Sequence, residues 1–388
     1  MSLTKNEFKS TLVVSLIFSL RLFGLFVLLP IFSLYASEYE NSSAFLAGIA
    51  LGIYSLSQAL MQVPMGFLSD KFGRKKIVML GLIMFIFGSL ICYFSKDINT
   101  LIIGRLIQGL GAISSIGIAT LSENTSANNR ASAFTIMGIS VGGAFIIGFI
   151  IGPFFASIYS FKSIFILLFI LGFIATIVTY LYYPNDKNEK INSTKIKYNN
   201  NLTQIYLGSF FLSLILSMML YTYPLTWNSL GATKDELPII YLYIFLPAVL
   251  FIYPLVRYFE KIKKIDKMVK AGWFFLVLGY LIYLIAPKNN YSLYALGILF
   301  FFGSSVFNSI LPSLLTFNIP NNLKATSTGP FYLMNFLGHA IGALIAGLIY
   351  MKESYLGIQN SLFIYFISIL IVLIWIKIDL PEYKEKNE

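Results

Sequence analysis

The sequence predicts an all-α polytopic membrane protein with twelve transmembrane helices in two six-helix halves, and three observations carry that prediction. The 388 residues are 57% hydrophobic and 12% charged, with a mean hydropathy of +0.78, whereas soluble globular proteins carry about 25% charged residues. Long apolar runs recur at the length a bilayer requires. Lysine and arginine concentrate in alternate connections between those runs.

A helix needs about 20 mostly apolar residues to cross a hydrocarbon core about 30 Å thick. Runs meeting that requirement lie at 10–36, 44–68, 76–95, 98–121, 131–158, 161–183, 202–228, 239–259, 267–286, 292–316, 325–350 and 358–379. The first follows Lys5 and Lys9, is longer than the apolar core of a signal peptide and contains Arg21, so it reads as a retained helix. NDKNEKINSTKIKYNNN, residues 185–201, is the one long polar stretch between runs. It reads as a cytoplasmic linker dividing an N-terminal six-helix bundle, 1–184, from a C-terminal one, 202–388. The charged tail after Pro381 is too short to form a domain.

The net charge of +11 would point to nucleic acid in a soluble protein, but here the charges sort by membrane side. Twenty-one Lys and Arg residues fall on one side, including Lys71, Arg74, Lys75 and Lys76; only Lys96, Lys162, Lys234, Lys288 and Lys352 fall on the other. Basic connections stay in the cytoplasm. The split predicts a multi-pass protein of the cell's inner (cytoplasmic) membrane with both termini inside, and no nucleic-acid partner. Cys92, the single cysteine, lies in an apolar run and forms neither an internal disulfide nor a thiolate metal cluster.

Two pieces of the halves align without gaps. Pro64, Asp70, Lys71 and Arg74 lie 190 residues before Pro254, Glu260, Lys261 and Lys264, and Arg130, Ala131, Gly148 and Gly152 lie 194 before Lys324, Ala325, Gly342 and Ala346. A parallel repeat of this kind suits a transporter whose site lies between two rocking halves.

GFLSDKFGRKK, Gly66 to Lys76, joins the second and third runs on the basic side. It resembles the loop signature G-x-x-x-D-x-x-G-R-K/R-x of the major facilitator superfamily at every fixed position. Gly66 permits close helix contact, Gly73 a tight turn, Asp70 offers an anion, and Arg74 with Lys75 holds the loop in the cytoplasm. The resemblance implies that Asp70 latches one conformation by sitting against the N-terminal end of the eleventh helix, near Ser327 to Gly329, where the helix dipole favours a carboxylate. GRLIQGLGA in the fourth run resembles the family's R-x-x-Q-G pattern through Arg105, Gln108 and Gly109. Arg105, Gln108 and Ala112 share one helical face; the resemblance assigns the arginine to helix organisation or proton transfer. GFIIGPFFAS in the fifth run is similar to the antiporter-associated G-x-x-x-G-P-x-x-G-G at Gly148, Gly152 and Pro153, with Ala156 and Ser157 in place of the last glycines. Such residues form either a gate or ordinary close helix packing. SLRLFGLFVLLPIFSLYA in the first run, with the loop signature, looks most like the YajR-type branch of drug:proton antiporters.

Polar residues inside the runs mark the expected cavity. Arg21 lies near the midplane, Gln58 and Gln62 share a face of the second helix, and Asn335 and His339 share one of the eleventh by i to i+4 spacing. Asn308 adds an amide in the tenth, and Tyr221, Tyr223 and Trp227 an aromatic wall in the seventh, where Trp227 equally fits an interfacial aromatic. The amides either bind cargo or bond helices together. No Asp or Glu lies deep in a run, so His339, the only histidine, is the expected proton-coupling residue. Arg21, a midplane cation, favours anionic or zwitterionic cargo.

These features predict a monomeric, proton-coupled secondary active transporter that exports a small amphipathic compound by alternating access, in a lipid bilayer, without cofactor or metal. Uptake of an anionic or zwitterionic metabolite by the same fold is the first alternative. A channel or a non-transporting sensor is the second, although neither a filter loop nor a ring of like charge is visible. With no HExxH motif and one histidine, the sequence reads as no enzyme.

Overall fold

The computed structural model describes residues 3–126, 129–184, 200–261, 265–317, 324–352, 354–355, 358–378 and 380–381. Its helices are α1 Lys5–Phe26, α2 Phe32–Ala36, α3 Ala44–Phe72, α4 Arg74–Phe94, α5 Ile98–Leu110, α6 Ser114–Glu123, α7 Arg130–Ile158 and α8 Phe161–Tyr182 in the first half. The second half supplies α9 Asn200–Ser229, α10 Leu237–Lys261, α11 Ile265–Ile285, α12 Asn290–Phe317, α13 Lys324–Ile349 and α14 Asn360–Ile376. A two-residue antiparallel pair, Ser354–Tyr355 with Ile358–Gln359, precedes α14. Among the described residues, ten segments are long and apolar enough to span a membrane; α5 and α6 count as one of them. The 25-residue α10 and the 17-residue α14 complete twelve spans. The expected linker lies outside the described residues as far as 199, and so do the side chains around Glu260 in the second copy of the repeat.

Two spans expected as single helices are broken. The first stops at Phe26 and restarts at Phe32. Pro30 explains this, because it has no N–H for the carbonyl four residues back and its ring crowds that carbonyl. The fourth stops at Leu110 and restarts at Ser114. Ala112 therefore lies in the break and does not share a helical face with Arg105 and Gln108.

Since lipid is as apolar as leucine, the helices are held by close packing and interhelical hydrogen bonds rather than by expulsion of water. Small residues provide that packing. A Cβ at Gly152 of α7 would stand 2.0 Å from the Val27 carbonyl oxygen in the break of the first span, and one at Gly109 would stand 1.8 Å from Ser57 Oγ. On α13, Gly338 and Gly342 press against the Phe210 and Leu214 carbonyls of α9. Three hydrogen bonds run beside that seam at a constant offset: Ser209 Oγ to the Phe331 carbonyl at 3.4 Å, Asn335 Nδ2 to Ser213 Oγ at 2.6 Å, and Ser217 Oγ to the His339 carbonyl at 2.8 Å.

Candidate functional site

The broken fourth span organises the polar interior of the first half. A break leaves carbonyls at the end of α5 and N–H groups at the start of α6 without intrahelical partners. Arg21, from α1, donates through Nη1 to the Gln108 carbonyl at 3.0 Å and through Nη2 to the Gly111 carbonyl at 2.7 Å. Gln62, from α3, receives the Ser115 N–H on Oε1 at 3.2 Å, and its own carbonyl accepts Ser115 Oγ at 3.0 Å. Both residues were expected in the cargo cavity. The structure instead places them as caps on the two ends of one break, and Arg21 is only 2% exposed.

The same network takes in the arginine and glutamine of the fourth-span motif. Arg105 Nη1 donates to Gln108 Oε1 at 2.7 Å, and Gln108 Nε2 donates to Ser89 Oγ at 2.8 Å. The Arg105 guanidinium lies 4.4 Å from the Tyr54 ring centre, and that of Arg21 lies 4.7 Å from the Phe85 ring centre. Such faces hold cations where water is excluded. The Tyr54 hydroxyl donates to the Arg21 carbonyl and accepts from Gln58 Nε2. Arg21, Gln58, Arg105 and Gln108 thus form one buried cluster inside the first half.

The second-half candidates do not converge with it. Tyr223 is buried and donates to the Leu293 carbonyl at 2.9 Å, Asn335 belongs to the α9–α13 seam, and Asn308 is exposed on α12. His339 is 4% exposed, and its Nδ1 has no hydrogen-bond partner among the described residues.

At the Gly66 loop, Gly73 has φ +99°, a conformation open to glycine, and this lets α4 begin immediately after α3. A Cβ at Gly66 would meet only ordinary contact, so the close approach expected there is absent. Asp70 pairs with Arg74 at 2.9 Å and keeps 64% of its side chain exposed. Arg74 also grips Glu123 at the end of α6 at 2.6 Å and Ser69 Oγ at 2.9 Å. A Cβ at Gly329 of α13 would meet open space, and the Ser327 side chain lies outside the described residues. Asp70 is thus paired within its own half, with Arg74.

The seam between the halves is lined by aromatic residues outside the polar set. Phe145 and Phe149 of α7 meet Phe245 of α10 edge-on, with centroids at 6.1 and 4.7 Å, and Phe149 also meets Phe301 of α12 at 6.0 Å. Phe18 of α1 meets Tyr332 of α13 edge-on at 5.5 Å. Toward the side poor in Lys and Arg, the seam is sealed by hydrogen bonds. Ser33 Oγ donates to the Tyr221 carbonyl, the Tyr221 hydroxyl to the Ala44 carbonyl, and the Tyr241 hydroxyl to the Pro30 carbonyl, at 2.6, 2.6 and 2.7 Å. There Gly48 and Gly52 of α3 also lie against Ala340, Ala343 and Gly347 of α13. The i to i+4 spacing of Phe145 and Phe149 was legible; what they face was not.

Two six-helix halves meeting along a closed seam define a membrane transporter. The chain belongs to the Major Facilitator Superfamily, whose model matches residues 14–203 and 205–388. It is 30% identical over 354 residues to the inner membrane transport protein YajR of Escherichia coli (strain K12), a match spanning 89% of this chain and 78% of that one. It is 34% identical over 148 residues to a class H tetracycline resistance protein of Pasteurella multocida, spanning 37% of this chain and 36% of that one. The crystal structure of a D-xylose-proton symporter superposes with a TM-score of 0.74 at 16% identity, covering 98% and 99% of the two chains, which shows a common fold. The protein is a multi-pass membrane transporter and not an enzyme.

Proposed function

We propose that this transporter works by alternating access, its bundles 1–184 and 202–388 rocking as bodies, and that it exports a small amphipathic compound in exchange for protons. The observation that carries the proposal is the asymmetry of the seam. The side poor in Lys and Arg is sealed by inter-half hydrogen bonds and packed glycines, while on the basic side Asp70 is exposed and the start of α13 stands clear at Gly329. A structure sealed on one face with the opposite latch unengaged is one of the two states that rocking requires. The charge bias puts the basic side and both termini in the cytoplasm; the state is then closed to the outside.

Cargo class follows from the aromatic seam. Phe18, Phe145, Phe149, Phe245, Phe301 and Tyr332 offer apolar faces and one hydroxyl, which suits a compound with a large apolar body. Arg21, the support for an anionic cargo, spends two of its donors on the Gln108 and Gly111 carbonyls. Export is supported by Gly148, Gly152 and Pro153 of α7 and by the likeness to a tetracycline resistance protein. Proton exchange is assigned to His339, whose Nδ1 has no hydrogen-bond partner among the described residues. Asp70 is assigned to the latch of the opposite state.

A thermal-shift screen of drugs and metabolites would find a cargo, since a ligand that binds the folded state raises its Tm. Proteoliposomes with an imposed pH gradient then give the direction. Antiport loads the compound when the lumen is acidic, and symport when the exterior is acidic. Loading driven by an acidic exterior refutes the exchange.

A further inference from the structure

The seam carries an ion pair on its low-charge face. Lys234, which opens the 3₁₀ turn Lys234–Glu236 before α10, reaches from the second half to Glu38 of the first, where its ammonium bonds Glu38 Oε1. The same ammonium lies 4.4 Å from the centre of the Tyr35 ring. It is therefore held twice, by a carboxylate and by an aromatic face. Both holders belong to the segment following the break of the first span. Lys234 follows Thr233, whose N–H donates to Glu236 Oε2 at 2.8 Å across the turn, so the lysine projects from a defined turn rather than from loose chain.

Beside this pair the first half carries an open pocket of about 320 Å³, lined by Tyr35, Glu38, Tyr39, Lys96, Phe161 and Lys162 together with Ser160. Tyr35 stacks on Phe161 at 5.1 Å, which fixes the wall on which Lys234 rests. Among the described residues Lys96 makes no ion pair, and Lys162 meets the Tyr39 ring alone, at 5.3 Å. Glu38 thus has one partner on the far half and two idle cations lining the same pocket on its own half.

We infer that Glu38 and Lys234 form an outer latch that exchanges partners: Lys234 holds Glu38 while the outer face is closed, and Lys96 and Lys162 receive the carboxylate when the halves part. An ion pair torn open toward water alone would bias the transporter to the closed state. One that re-forms within its own half leaves the bias small, as repeated cycling requires. The two ends of the chain's seam then work alike, each with an acid of the first half that changes partners. On the basic side that acid is Asp70, and Arg74 is its partner within the half.

The inference rests on the alternating-access reading, and one experiment separates the two. Spin labels at Asn99→Cys and Asn228→Cys, one on each half at the outer face, in a Cys92→Ser background, report the outer distance by double electron–electron resonance in liposomes. Lys234→Gln is expected to raise the long-distance population about three- to tenfold, the scale of one half-exposed ion pair plus one cation–π contact, whereas Glu38→Gln, which removes the acid from both states, is expected to raise it less. The charge-exchanged double variant Glu38→Lys with Lys234→Glu is expected to recover most of the closed population. The double variant Lys96→Gln with Lys162→Gln is expected to lower the long-distance population, because Glu38 loses its open-state partners. Two populations that ignore all four substitutions overturn the latch alone. A single, unchanging distance in every protein and at either sign of pH gradient overturns the latch and the rocking together.

Discussion

Replacing Arg21 by glutamine tests whether its guanidinium serves the helix break or the cargo. In the structure it donates to two carbonyls of the fourth span, at 3.0 and 2.7 Å, and is 2% exposed. Interhelical hydrogen bonds in bilayers average about 0.6 kcal/mol and reach about 1.7 kcal/mol. Bonds from a charged donor sit at the upper end, so the pair contributes about 3 kcal/mol. Glutamine can keep at most one of the two bonds, and its shorter reach leaves the other carbonyl unsatisfied, a loss of about 1.5 to 2 kcal/mol. Arg21→Gln should therefore lower the Tm of the purified protein by several degrees and reduce transport of anionic, neutral and cationic compounds in equal proportion. Thermal unfolding in detergent, read beside vesicle uptake of three compounds differing only in charge, measures both. An unchanged Tm with selective loss of the anionic compound would show that Arg21 faces cargo, and the capping argument would fail.

Three further outcomes follow from the same geometry. Gly152→Leu should abolish transport and lower Tm, because its Cβ would lie 2.0 Å from the Val27 carbonyl oxygen; retained activity would mean that α7 and the first span are not pressed together. His339→Ala should weaken proton-driven transport and flatten its pH dependence while leaving thermal unfolding near that of the parent; proton-driven rates in proteoliposomes that match the parent across pH remove His339 from coupling. Asp97 caps α5, and the Thr100 hydroxyl and N–H hold its carboxyl below the usual carboxylate range. A lowered folded-state pKa contributes stability above the unfolded value, about 3.9, and loses it as pH falls through the folded one. Asp97→Asn should thus lower Tm at neutral pH, with the difference from the parent shrinking below about pH 4; a difference that is constant down to pH 3 contradicts the capping role.

The Gly66 to Lys76 loop shows how far local reading reaches. Its sequence specified the turn at Gly73, the side of the membrane with the most positive charge, and the family. It did not specify that Arg74 would bind Glu123, 49 residues away, as well as Asp70. Pro30 announced a break that the span-length argument passed over, since apolarity continues through it. The break in the fourth span had weaker warning, the small residues Gly109, Gly111 and Ala112.

Twelve spans, their apolar faces and the charge bias between the two sides of the membrane follow from composition and period, because each is a property of neighbouring residues meeting lipid or water. Which polar groups face cargo does not follow. Arg21 lies 87 and 90 residues from the carbonyls it caps, and Lys234 lies 196 from Glu38. Those pairings exist only once helices from distant parts of the chain are stacked. An intramembrane arginine must find acceptors somewhere, and only the tertiary structure decided that they are the two carbonyls of a broken helix, leaving the seam between the halves to phenylalanine and tyrosine.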